Sequence, residues 1–426
     1  MNKFIKYRRE FHQYPETGWR ELRTSARIAE ILEKKGYACL MGDEVINTEF
    51  IGSEKPDEET VKINKKRAVE QGADPGYVEK TGGFSGVIAE LDTGRDGPVT
   101  ALRFDIDALP YNEEGTKGYR PFEEGFISCN ENCVHACGHD AHTAIGLGLA
   151  ESLLKNKEKL KGKVRMIFQP AEELYNGAYS VVKNGHLDDC NNFIAVHMAL
   201  TAEGKPLPSN TLCCGCKDFL SDAQVDVTFH GRAAHPCGAS QEGKNALLAA
   251  ASAALNLHCI APHEQGLCRV NVGLLKAGIA ANTIAPKSFM SIEYRGETGE
   301  IEEYLEKRVF EILDGAAKSY GMEYTYKDVG KMPSGASDDQ MMHIIKRAAE
   351  KVTWFKKIYF EGNVGGSDDA SVMMNKVQEN NGIASYVGIG TDTTQPLHNP
   401  EFDLDEEAIP ATIELLVYAI YELNGN

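Results

Sequence analysis

The strongest constraint on the fold is a change of rhythm partway along the chain. Short apolar runs at 86–91, 99–104, 164–168 and 193–196 alternate with helical periodicity at 141–154 and 172–183. Strands separated by helices predict an α/β sheet with helices on its faces. After Cys216 the order becomes strand 223–229, alanine-rich helix 244–258, strands 268–276 and 288–294, long helix 300–319 and short strand 322–326. That is β-α-β-β-α-β, the order of a ferredoxin-like split unit, and roughly a hundred residues is an ordinary domain size. The first rhythm then returns with a helix from Asp338, a Gly365-Gly366 turn, a strand at 384–389 and a last helix from Asp405. The expected architecture is an α/β domain with a mixed sheet, 1–216 and 331–426, interrupted by an inserted ferredoxin-like domain at 217–330.

Two further stretches are read from composition and periodicity. Residues 3–36 have helical periodicity and end on Gly36, while the highly charged segment 42–82 reads as a solvated helical insertion. A chain of 426 residues is too long for a single small binding module. Its net charge of −18 repels phosphate backbones and anionic lipid, which argues against nucleic-acid and membrane-surface partners. No apolar run approaches the roughly 20 residues of a membrane span, and the first residues lack an apolar leader core, so a cytoplasmic location is expected. The eleven cysteines are odd in number and scattered, so most are expected to be buried thiols. A structural zinc shared by the clusters at 129–137 and 213–216 is disfavoured, because no CxxC…CxxC pair exists.

The densest chemical signal is His135-Ala-Cys137-Gly-His139-Asp140-Ala-His142, directly before a predicted helix. Any one of these histidines alone would be read as a core or cap residue. Further ligand types stand after later strands: Glu172-Glu173 after 164–168, His197 after 193–196, and His398 in the loop after 384–389. In open α/β sheets the crevice outside the strands' carboxyl ends is where ligands sit. Separate segments thus deliver Cys, His, Glu and His to one edge.

HACGHDAH, FQPAEE, the strand-end His197, GSDDAS and LHNPEFD together resemble the aminoacylase/carboxypeptidase family of two-metal amidohydrolases, in the branch with a cysteine ligand. The likeness runs over nearly the whole chain. It is strongest, through GGFSGVIAELDTGR, GFISCNENCVHACGHD and RVNVGLLKAG, to the members that hydrolyse p-aminobenzoyl-glutamate. The resemblance implies two divalent ions per chain, zinc or manganese. Cys137 would bridge both, His139 and His197 would complete one site, and Glu173 and His398 the other. Two such ions, about 3.5–4 Å apart, can activate water and polarise a carbonyl at neutral pH. Glu172 resembles the general base. Asp107 matches a segment near the metals and is expected to orient a ligand, with Asp105 beside it. His142, on the same helical face as His139, is a further supporting candidate, and His135 and Asp140 are read as structural. GSDDAS departs from the usual GSED by carrying Asp368 for Glu, a shorter arm with the same charge.

In the inserted domain, His235 in GRAAHP resembles the histidine that reaches into a partner's site and supports the oxyanion. Asn282 in ANTIAP and Arg295 in EYRGET resemble groups that bind substrate oxygen and the terminal carboxylate, a task that suits a forked guanidinium. The expected reaction is hydrolysis of p-aminobenzoyl-glutamate or a related N-acyl or N-aroyl amino acid. The enzymatic alternative is a general N-acyl amino acid hydrolase. A homodimer is expected, the alternative partner being a homologous B subunit. A non-catalytic subunit that kept the fold would be marked by a missing ligand or base, and none is missing. A structural zinc protein would have a closed site with no spare glutamate.

Overall fold

A computed structural model describes residues 2–52 and 55–425, so Ser53 and Glu54 of the charged segment lie outside the described residues. The chain divides into two units, Met1–Lys217 with Ala336–Asn426, and Asp218–Gly335. The first begins with α1 (Lys3–Gln13), α2 (Leu22–Glu33), β1 (Cys39–Met41), α3 (Glu58–Glu70) and α4 (Pro75–Lys80). It continues through β2 (Val87–Asp92), β3 (Val99–Asp105), α5 (Arg120–Glu123), α6 (His139–Leu154), β4 (Lys163–Gln169), α7 (Gly177–Lys183) and β5 (Asn192–Met198). A two-residue ribbon, β6 (Thr201–Ala202) and β7 (Lys205–Pro206), precedes β8 (Thr211–Cys213). The second unit holds β9 (Ser221–His230), α8 (Ala246–Leu257), β10 (Cys268–Ala277), β11 (Lys287–Gly296), α9 (Gly299–Ser319) and β12 (Glu323–Met332). The chain then re-enters the first unit with α10 (Asp339–Ala349), β13 (Lys357–Tyr359), α11 (Ala370–Glu379), β14 (Ile383–Ile389) and α12 (Ala408–Asn424).

The first unit is built on an eight-stranded mixed sheet in the order β1-β2-β4-β3-β5-β14-β8-β13. Four neighbours, β4, β3, β5 and β14, run parallel, so their carboxyl ends open side by side at one edge. These strands are apolar along nearly their whole length and buried on both faces, as parallel strands under helices must be. Helix α6 is buried almost throughout, because its sequence is apolar on all sides after the first turn. It approaches the sheet closely at Gly146, where a Cβ would stand 2.6 Å from the Phe168 ring and 2.7 Å from Phe104. Only glycine lets the helix start, and the residues it carries, sit this near the strand ends.

The second unit is a four-stranded antiparallel sheet in the order β10-β11-β9-β12 with two helices. Burial alternates along β9 and β11, as expected of strands with one face on a core. Val225, Val227, Phe229, Met290 and Ile292 pack there with Ala249, Ala253, Leu305 and Val309 of α8 and α9. Both helices start on side-chain caps, Asn245 accepting from the N–H groups of Leu247 and Leu248, and Thr298 from that of Ile301.

Several local expectations change. The periodic stretch 3–36 is two helices, because Pro15 disfavours helical backbone at Tyr14 and ends α1. The expected helix 172–183 is a single tight turn at Glu172–Leu174, broken at Tyr175 (φ +65°), followed by α7. The last helix begins at Ala408 rather than Asp405, whose carboxylate accepts the Glu407 N–H. Six of the eleven cysteines are buried, but Cys129, Cys237 and Cys259 are exposed; all eleven are free thiols. Among the described residues no helix is long and apolar enough to cross a membrane.

Candidate metal centre

The parallel strands' carboxyl ends and the start of α6 bring the ligand-type residues together. Gly138, with φ +91°, turns the chain into α6 and sets Cys137 and His139 on either side of that turn. Ligand atoms of Cys137, His139 and Glu173 all lie within 4.8 Å of one another. His197, at the end of β5, places Nε2 3.5 Å from the Cys137 sulfur, and His398 Nε2 is 3.6 Å from Glu173 Oε1. His398 sits in left-handed backbone (φ +64°), and its N–H donates to the Ala136 carbonyl at 2.7 Å.

The hydrogen bonds fix which nitrogen of each histidine faces inward. His139 Nδ1 donates to the Asp107 carbonyl (3.0 Å) and His197 Nδ1 to that of Met198 (2.7 Å), so both turn Nε2 to the centre. His142 is different. Its Nδ1 donates to Asp105 Oδ1 (2.5 Å) and its Nε2 accepts the Met198 N–H (3.0 Å), so both nitrogens are used and it braces β5 instead of offering a ligand atom. Asp107 Oδ2 accepts the Glu173 N–H at 3.1 Å. Of the two residues expected to be structural, Asp140 is held by Arg8 and His12, and His135 is buried.

Glu172 and Glu173 leave a strained turn. Ala171 lies at φ +53° and Tyr175 at φ +65°, left-handed conformations that cost non-glycine residues free energy. The N–H of Ala171 is pinned by the buried carboxylate of Glu21 at 2.8 Å. Pinning on both sides sends the two neighbouring carboxylates to different places: Glu173 towards Cys137 and His398, Glu172 towards Asp368 and Asp369. Glu172 Oε2 remains 3.9 Å from His139 Nε2.

The donor set fits dications. Among the described residues, His139 Nε2, Glu173 Oε1 and Asp107 Oδ1 are buried without a hydrogen-bond partner, an expensive arrangement unless something positive sits among them. Burial works against an imidazolium at His139, but its neighbours, the Asp105 carboxylate first among them, outweigh it and hold its pKa well above the usual range. A proton there does the work of a cation. Burial and the neighbouring His142 lower His197 to about 3, so it is a neutral donor. Burial, offset by His139 and reinforced by Asp107, pushes Glu173 up to about 7. Burial and then Asp368 and Glu173 push Glu172 well above the carboxylate range, which makes it a group able to hold a proton.

One side chain that sequence reasoning missed organises this edge. Arg103 of β3 is fully buried, with Nη1 2.6 Å from Asp105, Nη2 3.0 Å from Asp368 and 2.9 Å from Asp369, and Nε 2.8 Å from Gln169 Oε1. The Tyr386 hydroxyl also donates to Asp368. The shorter arm of Asp368 is therefore committed to this buried network.

The remaining three sequence-predicted residues lie in the second unit. His235 is exposed and its Nδ1 accepts the N–H groups of Cys237 (3.2 Å) and Gly238 (3.0 Å), which leaves the proton on Nε2. Asn282 is exposed in the turn before β11. Arg295 pairs with Asp222 (2.9 Å) and Glu293 (2.7 Å). Burial, countered by Arg295, pushes Asp222 up to about 7.

The sequence profile of peptidase family M20/M25/M40 matches residues 101–422, the span that holds every ligand-type residue named above. The chain belongs to this family. Among M20 relatives it is 41% identical to an indole-3-acetyl-aspartic acid hydrolase of Enterobacter agglomerans, over 98% of this chain and 94% of the relative. It is also 41% identical to the A subunit of p-aminobenzoyl-glutamate hydrolase from Escherichia coli K12, over 97% and 94%. Among solved structures, the aminobenzoyl-glutamate utilization protein of Klebsiella pneumoniae is similar with a TM-score of 0.81 at 36% identity, covering 98% of this chain and 95% of that one. The dinuclear metal-binding M20 peptidase YXEP of Bacillus subtilis is similar with a TM-score of 0.70 at 25% identity, covering 99% and 98%.

Proposed function

We propose that this chain is a two-metal amidohydrolase that cleaves the amide between an aromatic acyl group and an acidic amino acid, with p-aminobenzoyl-glutamate as the first candidate substrate. The observation that carries this reading is the convergence of Cys137, His139, Glu173, His197 and His398 around buried, unpartnered ligand atoms beside a spare carboxyl, Glu172. Two relatives at 41% identity are named for amides of this shape, indole-3-acetyl-aspartic acid and p-aminobenzoyl-glutamate.

Cys137, His139 and His197 would hold one ion, and Cys137, Glu173 and His398 the other; the mixed sulfur, nitrogen and oxygen set suits zinc or manganese. The ions supply Lewis-acid polarisation of water and of the amide carbonyl. Glu172 takes a proton from the attacking water at its carboxylate and returns it to the leaving amine nitrogen. His235 donates Nε2–H to the developing oxyanion, the geometry its Nδ1 acceptor role leaves available. Arg295 and Asn282 take the substrate carboxylate, which competes with Asp222 and Glu293 for the guanidinium. The first unit is the catalytic domain. The second is a ferredoxin-like lid and dimerisation domain of a cytoplasmic homodimer, the alternative partner being a homologous B subunit.

The substrate assignment is tested with purified protein and four amides: p-aminobenzoyl-glutamate, indole-3-acetyl-aspartate, benzoyl-glycine and N-acetylcysteine. The two acidic aromatic amides are expected to lead in kcat/KM by about tenfold or more, since each carries an aromatic acyl group and a second, side-chain carboxylate, whereas benzoyl-glycine lacks the side-chain carboxylate and N-acetylcysteine lacks both. Equal turnover of N-acetylcysteine would favour a general N-acyl amino acid hydrolase, the kind of activity for which a 28% identical relative, the N-acetylcysteine deacetylase of Bacillus subtilis, is named.

The dimer and His235 are tested together. His235→Ala and Glu172→Gln proteins should each be nearly inactive. If each site takes Glu172 from its own chain and His235 from the partner, mixed and exchanged protomers make about half the dimers hybrid, each with one intact site. Roughly a quarter of wild-type activity then returns. A mixture shown by mass spectrometry to contain hybrids, yet as inactive as the single variants, rules out the partner's histidine.

A further inference from the structure

A buried ionic network lies behind the centre, and the chemistry above does not use it. Arg8 of α1 is fully buried. Its Nε is 2.7 Å from Asp140 Oδ2, and its Nη1 is 2.9 Å from Asp403 Oδ1 and 3.2 Å from Glu406 Oε1. Asp140 directly follows His139 and also accepts the Ala141 N–H at 2.9 Å, so it belongs to the first turn of α6. Asp403 and Glu406 lie just past His398 on the same loop. One planar guanidinium therefore spans the two segments that carry His139 and His398. His12, one helical turn on, adds a second hold on Asp140 (2.8 Å) and links it to Glu113 (2.8 Å).

The His398 side of the centre needs such a hold. His398 is about half exposed, its backbone is in the left-handed region, and besides the Arg8 bridge its segment is tied to 135–140 by the N–H it gives the Ala136 carbonyl. His139, His197 and Cys137 are buried, and the two histidines donate Nδ1–H to backbone carbonyls. A small change in spacing between α6 and the loop would therefore move His398 relative to Glu173 and leave the other three undisturbed.

We propose that Arg8 is a positioning residue for the ion held by Glu173 and His398, because its guanidinium sets the spacing between the start of α6 and the His398 loop. This rests on the two-ion reading above. Lysine cannot replace it, since an ammonium is a point charge that cannot fork between carboxylates on two segments. Arg120 is a natural comparison. It reaches Asp403 (2.7 Å) and Glu406 (3.3 Å) from a partly exposed position, with no contact to Asp140 among its ion pairs.

The test is a titration of Zn2+ into the metal-free full-length chain against a competing chelator, with thermal unfolding of the metal-free chain measured in parallel. Wild type should take up two ions. Arg8→Lys, which keeps the buried charge and with it the fold, should bind the first ion normally and the second about 10–100-fold more weakly, the usual loss when support behind a ligand is removed. Arg8→Met should do the same if it folds, and Arg120→Met should bind both ions normally. A folded Arg8→Lys with both affinities unchanged overturns the proposal. So does equal weakening of both ions together with earlier unfolding of the metal-free chain, which is what a merely structural role would give. An Arg120→Met that matches Arg8→Lys also overturns it. Wild type binding fewer than two ions removes the two-ion reading and the proposal with it, so the two failures are told apart by the wild-type curve alone.

Discussion

Glu172→Gln is expected to keep both ions and near-normal substrate affinity while losing about 10²–10⁴-fold in turnover, the usual worth of acid–base help. Glutamine has nearly the same shape as glutamate but cannot accept and return a proton. The backbone turn that aims the side chain is held from outside it, by Glu21 on Ala171 and Asp107 on Glu173, so the substitution leaves that turn in place. Glu173→Gln should behave in the opposite way. Its Oε1 is one of the buried, unpartnered atoms 3.6 Å from His398, and an amide oxygen is a much weaker donor to a dication. That variant should lose an ion first and activity as a consequence. Metal analysis beside steady-state kinetics separates the two, and reversed phenotypes would mean that the adjacent carboxylates have exchanged roles.

Cys137→Ser is expected to lose both metal stoichiometry and activity. Burial and the Glu173 carboxylate push the Cys137 thiol well above its usual pKa, so the metal-free chain holds it as neutral SH. Binding must therefore displace that proton, and a hydroxyl gives up its own far less readily than a thiol. Ion uptake by the wild type should release protons and weaken as pH falls, and the serine variant should release fewer, since only those of His139 and Glu173 are left to displace. Two bound ions in an active Cys137→Ser protein would remove the cysteine from the centre.

The ligand-type residues are legible in the sequence because few side chains bind metals and these stand at strand ends, where the α/β rhythm predicts an open edge. The scaffold that holds them is harder to read. Arg103 sits inside the apolar run VTALRFD, and its partners Asp368 and Asp369 come from a distant part of the chain. The one local signal is Asp105 two residues on, which shares its face of the strand. Arg8 and His12 show only an i, i+4 spacing on a helix; that both meet Asp140 follows from packing that no local pattern encodes. Strands of two or three residues, such as β8 and β13, are too short to display a period. The turn at 171–175 reads as helix in the sequence because the tertiary hold on Ala171, which overrides propensity, comes from Glu21.

The order of strands in the large sheet has a consequence for biosynthesis. β14 lies between β5 and β8, pairing with both, yet it is translated only after the whole of the second unit. A nascent chain that has already made β3, β4 and β5 therefore carries an unpaired inner edge on β5 while the second unit is synthesised, the kind of surface that invites mispairing. The His398 loop emerges later still, directly after β14. Completion of the sheet and readiness to take up the second ion are thus late and nearly simultaneous events. A ribosome stalled before β14 would present a chain with most of its ligands made and nowhere to close them.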